Sequence, residues 1–156
     1  MKARILIVDD HEIVREGICT LLERSRPEWE ICGQSTNATD AVDAVEALKP
    51  DVVILDITMP GMSGFEAASL MRRLNPNSRI LIFTMHSSER LENEVRDAGA
   101  QGYVLKSQAA RDLVVAIDAL LSGGTFFGSS ESESSKKRED EKLGPQFSFR
   151  IAFANA

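Results

Sequence analysis

The sequence predicts an α/β fold in which a doubly wound, mostly parallel sheet carries helices on both faces, and three observations support that expectation. Five short apolar runs, each of strand length, recur along the 156 residues. Between them lie segments whose apolar residues repeat at helical spacing. Strand and helix therefore alternate five times, the order from which parallel sheets are built.

The first run, ILIV at 5–8, is continuous enough to be buried on both faces. Ile13, Val14, Gly17, Ile18, Leu21 and Leu22 then share one helical face. A weaker strand around Ile31, near Trp29, precedes a helix with Ala41, Val42, Val45 and Leu48 on one side. Residues 52–55 form the third run, and Phe65, Ala68, Met71 and Leu74 mark the third helix, with Ser63 and Glu66 as its capping box. Residues 80–83 form the fourth strand. The helix expected over 87–98 has only Leu91, Val95 and Ala98 as its apolar stripe, so it should be the most movable. Residues 103–105 form the fifth strand, and Ala110, Leu113, Val114, Ile117, Leu120 and Leu121 the last helix. Pro50 and Pro76 follow helices, and Gly99 and Gly123 read as helix stops.

Composition narrows the function. A net charge of −6 and a pI near 5.0 disfavour a general nucleic-acid-binding surface, which needs a basic stripe to displace counterions. No run approaches the length of a membrane span, so the expectation is a soluble, cytoplasmic protein. Cys19 and Cys32 lie in apolar segments without metal-ligand spacing and are expected as buried reduced thiols.

In a doubly wound sheet, ligands bind outside the carboxyl ends of the strands. Asp9 and Asp10 follow the first strand, Asp56 the third, Thr84 the fourth and Lys106 the fifth. Taken singly, these have ordinary readings: a helix cap for Asp9 or Asp10, a turn for Asp56, a strand-end hydroxyl, a solvated lysine. Together they bring three carboxylates, a hydroxyl and an ammonium to one edge. Carboxylates about 4 Å apart repel by on the order of 4 kcal/mol per pair at an effective dielectric near 20, which a divalent cation would relieve. Hard oxygen donors suit Mg²⁺, while Lys106 and Thr84 suit an anion's oxygens. Asp56, nearest the middle of the sheet, is then a nucleophile toward a phosphoryl group, and Asp9 and Asp10 hold the metal. His11 and His86 read as surface residues or residues behind the ligands.

The stretches IVDDHEIVREG, DVVILDITMPGMSGFE, ILIFTMH and GAQGYVLKS resemble, in order and spacing, the receiver domain of bacterial two-component response regulators. The likeness spans residues 4–124, so residues 1–124 are expected as one receiver domain. The resemblance implies a five-stranded flavodoxin-like sheet of order 2-1-3-4-5. It implies that Asp56 accepts a phosphoryl group from a sensor histidine kinase, and that Asp9, Asp10, Asp56 and the backbone carbonyl of Thr58 arrange Mg²⁺. It further implies that Thr84 and Lys106 contact the phosphoryl oxygens, and that Tyr103 turns inward as Thr84 moves. Such a domain is a signalling switch and not a turnover enzyme. DDHEIVREG and LLSGGTFF are closer to the NarL/FixJ type, in which the output is usually transcriptional and a helix-turn-helix domain follows.

Residues 125–156 are instead expected as a flexible polar tail with a short phenylalanine-rich end and no recognised domain. Lys136, Lys137 and Arg138 are surrounded by Glu131, Glu133, Glu139, Asp140 and Glu141, so direct DNA binding is not expected. Contacts with partner proteins, including a homodimer formed on phosphorylation, are expected in its place, and a stand-alone phosphorelay receiver is the other output reading. A haloacid-dehalogenase-like phosphatase would need a second acid at position 58, which is threonine. A flavin or nucleotide module would need a glycine-rich loop after the first strand. Serine at 107, where many receivers have proline, implies a trans bond after Lys106.

Overall fold

The computed structural model describes residues 2–128. The strands are β1 (Arg4–Val8), β2 (Glu30–Ser35), β3 (Val52–Asp56), β4 (Arg79–Thr84), β5 (Gly102–Leu105) and β6 (Phe126–Phe127). The helices are α1 (Glu12–Ser25), α2 (Ala38–Leu48), α3 (Gly64–Leu74), α4 (Leu91–Asp97) and α5 (Ala109–Leu121), with a 3₁₀ turn at Lys106–Gln108 before the last. All neighbours pair in parallel in the order β2-β1-β3-β4-β5-β6. The expected order is therefore present, with one strand beyond the five expected. That strand, β6, is only two residues long and carries no periodicity a sequence reading could detect. The phenylalanine-rich end and the charged run lie outside the described residues.

Alternation along the strands divides the core in two. Ile5, Ile7, Val52, Ile54, Leu81 and Phe83 face α1 and α5, where Val14, Ile18, Leu113 and Ile117 are buried. Leu6, Val8, Val53, Leu55, Ile80 and Ile82 face α2, α3 and α4, against Val45, Met71 and Val95. Strands buried on both faces read as continuous apolar runs, which is why β1, β3 and β4 are evident in the sequence. β2 is an edge strand with a register break opposite Ile5 and Leu6, hence its weak pattern.

Local chemistry sets the helix ends. Asn37 and Ser63 accept hydrogen bonds from the backbone N–H of Asp40 and Glu66 at 2.8 and 3.2 Å, satisfying donors the first helical turn leaves open. Gly99 and Gly123 both take φ of +86°, the left-handed conformation that ends a helix cheaply with glycine. α4 is shorter than the 87–98 expected: Ser88–Leu91 closes a turn first, and no side chain caps the helix. Leu91 and Val95 are its only buried residues. Cys19 and Cys32 are free, as expected, but half-buried and not buried. All peptide bonds among the described residues are trans.

Candidate functional site

Strand register assembles the site. Val8 pairs with Leu55, Asp56 with Phe83, and Thr84 with Leu105, so the strands end in step and Asp9, Asp56, Thr84 and Lys106 arrive at one edge. All four are buried. Burial of so many polar groups is tolerable only if they compensate one another.

Lys106 supplies much of that compensation. Its Nζ lies 2.8 Å from Asp9 Oδ2 and 3.5 Å from Asp56 Oδ2, and 5.8 Å from the centroid of the Phe83 ring. The ammonium is at ion-pair distance from both oxygens, and neither buried oxygen has a hydrogen-bond partner. The other oxygen of each carboxylate is well satisfied. Asp9 Oδ1 accepts the N–H of His11 at 2.8 Å. Asp56 Oδ1 accepts both the N–H and the hydroxyl of Thr58 at 2.9 Å.

Asp10 is more exposed than Asp9 and Asp56, and its Oδ1 lies 3.1 Å from His11 Nδ1. Asp9, Asp10, His11 and Asp56 each place one potential ligand atom within 4.8 Å of the others. Two buried, unsatisfied carboxylate oxygens beside a third carboxylate form a hard-oxygen donor set that fits Mg²⁺. Arg15 braces this corner by donating to the Asp9 carbonyl at 2.7 Å and to Gln34 Oε1 at 3.1 Å.

Two further expected participants make contacts of their own. Thr84 Oγ1 accepts the N–H of exposed His86 at 3.3 Å. Tyr103 is half-buried and meets Phe127 edge-on, 6.3 Å between ring centroids; burial, and secondarily the charge of Glu92, push its phenol pKa up.

The sequence reading missed Thr58 as a side-chain partner of Asp56, although an Asp-x-Thr spacing allows an aspartate to accept from the residue two positions on. It also missed Gly64. A Cβ there would lie 2.5 Å from Ile57 Cα and 2.8 Å from the Asp56 carbonyl oxygen, so glycine lets α3 close against the end of β3 and the residue that follows it.

The geometry has a counterpart in known proteins: residues 5–118 match the response regulator receiver domain. The chain belongs to this family. UvrY of Escherichia coli, a response regulator, is 37% identical over 125 residues, covering 80% of this chain and 57% of UvrY. The transcriptional regulatory protein DegU of Brevibacillus brevis is 31% identical over 155 residues, 96% of this chain and 65% of DegU. This receiver chain thus spans less than two thirds of the length of either relative. Among solved structures, a LuxR-family two-component response regulator from Aurantimonas sp. SI85-9A1 superposes with a TM-score of 0.78 at 38% identity, covering 92% of this chain and 99% of that one. The isolated receiver domain of RcsB from Salmonella enterica with the phosphomimetic BeF₃⁻ gives 0.75 at 30% identity, covering 83% and 96%. As a receiver, the chain is a phosphorylation-dependent signalling module.

Proposed function

We propose that Asp56 is the phosphoacceptor of this receiver and that a sensor histidine kinase is the donor. The observation that carries the reading is the state of Asp56 Oδ2: fully buried, without a hydrogen-bond partner, and 3.5 Å from Lys106. Thr58 fixes the opposite oxygen, so Oδ2 is the free nucleophile. In the transfer, Oδ2 bonds to phosphorus as the P–N bond of a phosphohistidine breaks, and that bond's electron pair leaves with the imidazole. The reaction is stoichiometric: one aspartate is modified and no free product is turned over.

Asp9, Asp10, Asp56 and the Thr58 carbonyl would hold Mg²⁺. Bound there, the ion would supply positive charge to the phosphoryl oxygens. Lys106, already between Asp9 and Asp56, supplies a second positive charge and contacts one of those oxygens. The Thr84 hydroxyl donates to another of those oxygens, and Tyr103 turns inward into the space left. The signal leaves through protein contacts, including self-association of phosphorylated receivers, in the cytoplasm. RcsB, to which the chain is similar, has been seen as dimers bound to DNA; the receiver part of this chain is read as providing the dimer contact and not the DNA contact.

Intact-mass measurement tests the acceptor. With Mg²⁺ and a small phosphodonor the wild type should gain one phosphoryl group, and Asp56→Asn none. Full labelling of that variant would refute the assignment.

A further inference from the structure

β6 is two residues long, too short to hold itself by strand pairing alone. Its side chains anchor it. The Arg96 guanidinium of α4 lies 3.8 Å from the centroid of the Phe127 ring, while Tyr103 of β5 meets that ring edge-on at 65°. Arg96 is held in turn by Glu92 at 3.5 Å. A continuous line of contacts therefore runs from α4 through Phe127 to Tyr103, and both the cation–π and the edge-to-face arrangement are favourable geometries.

The backbone is shaped for the same contact. A Cβ on Gly102 would fall 2.1 Å from the Phe126 carbonyl oxygen, so only glycine lets β6 approach β5 here. The Phe126 N–H then donates to the Gln101 carbonyl at 3.0 Å. Gly128 takes a φ of +65°, and a Cβ there would lie 3.3 Å from the Tyr103 hydroxyl. Gly128 thus sits directly against the ring that is read as the switch.

We propose that β6 is an intramolecular clasp: Phe127 holds Tyr103 and α4 in the resting arrangement, and inward rotation of Tyr103 undoes the clasp. The inference rests on the reading of Tyr103 as the switch ring, and it assigns Phe127, Arg96 and Gly102 as positioning residues for it. α4 makes the device effective, because a seven-residue helix with two buried side chains has little else to fix it.

The first test needs no phosphate. Amide exchange is compared in the unphosphorylated full chain for wild type, Phe127→Ala, Phe127→Tyr and Gly102→Ala. Losing the ring in Phe127→Ala should speed exchange over residues 91–98 roughly fivefold, the factor that corresponds to one such contact. Phe127→Tyr keeps the aromatic face and should restore wild-type rates. Gly102→Ala removes no side chain from the stack but displaces β6, and should behave like Phe127→Ala. Wild-type exchange over 91–98 in both Phe127→Ala and Gly102→Ala would overturn the clasp, as would an equal rise in β1 and β3, which marks general destabilisation. In phosphorylated wild type the Phe126 amide should lose protection, and unchanged protection in protein carrying phosphate on Asp56 would overturn the coupling to the switch. Absence of phosphate on Asp56 would refute the acceptor reading instead, and the phosphate-free comparison would still decide the clasp.

Discussion

Replacing Asp56 by asparagine removes a charge while keeping the shape, and the site's geometry gives the sign of the effect. Lys106 attracts the Asp56 carboxylate across 3.5 Å, about 5 kcal/mol at an effective dielectric near 20. Asp9, with its ligand atom within 4.8 Å, repels by about 3.5 kcal/mol or more. Asp10 lies within the same range, but its side chain is 28% exposed, and solvent screening reduces its share to about half of that. Attraction and repulsion nearly cancel, which leaves the cost of burying a fully desolvated charge, several kcal/mol before its hydrogen bonds are counted. The asparagine Oδ1 keeps both bonds from Thr58, and its amide offers a donor toward Asp9. Asp56→Asn should therefore stabilise the metal-free protein by on the order of 2 kcal/mol, a shift of about 1 M in a urea midpoint. Trp29 fluorescence can follow the unfolding. Added Mg²⁺ should stabilise the wild type more than the variant and narrow the gap, since a ligand stabilises the form that binds it. A lower midpoint for Asp56→Asn without divalent cation, or an equal response of both proteins to Mg²⁺, would refute the reasoning.

The other predictions concern residues around Asp56. Thr58→Val keeps the side-chain shape but loses the 2.9 Å hydroxyl bond to Asp56 Oδ1, and should cost about 1–2 kcal/mol in the same urea assay. Thr84→Ala should still take up phosphate but lose the phosphorylation-dependent change in amide exchange over 86–98, because the Thr84 hydroxyl serves Thr84–His86 contact and not the nucleophile. Burial raises the Tyr103 phenol above its usual value of 10.0; its contribution is complete below that value and lost as pH rises through the folded-state value. Tyr103→Phe should remove that alkaline loss, which thermal melts on either side of pH 10.0 would detect.

Much of this molecule is legible in its sequence because the informative residues are locally patterned. The runs at β1, β3 and β4 are apolar on both faces, and they and the shorter run at β5 each stop at a polar residue, so Asp9, Asp56, Thr84 and Lys106 could be placed at strand ends without knowing the sheet. Their convergence depends on register, with Val8 opposite Leu55 and Thr84 opposite Leu105, and register belongs to pairs of strands and not to either one. The same limit hid β6, whose position depends on the missing Cβ of Gly102 and the Arg96–Phe127 contact, 24 and 31 residues away in the case of Gly102–Phe126 and Arg96–Phe127. The backbone N–H bond of His11 to Asp9 and the turn that brings its exposed ring beside two carboxylates leave no periodic signal. Weak anchoring of α4 was legible from its short apolar stripe, but its shortening to seven residues followed from the uncapped turn at Ser88–Leu91, a matter of local hydrogen bonding.

The central claim is that one carboxylate, Asp56, takes the phosphoryl group. An acyl phosphate is reduced by borohydride to an alcohol, so treatment of phosphorylated protein leaves homoserine where the aspartate was. Fragmentation of the peptide spanning β3 then locates it. The account predicts homoserine at position 56, dependent on Mg²⁺ and absent from Asp56→Asn. Homoserine at position 9 or 10 in the wild type, with position 56 unmodified, would contradict it.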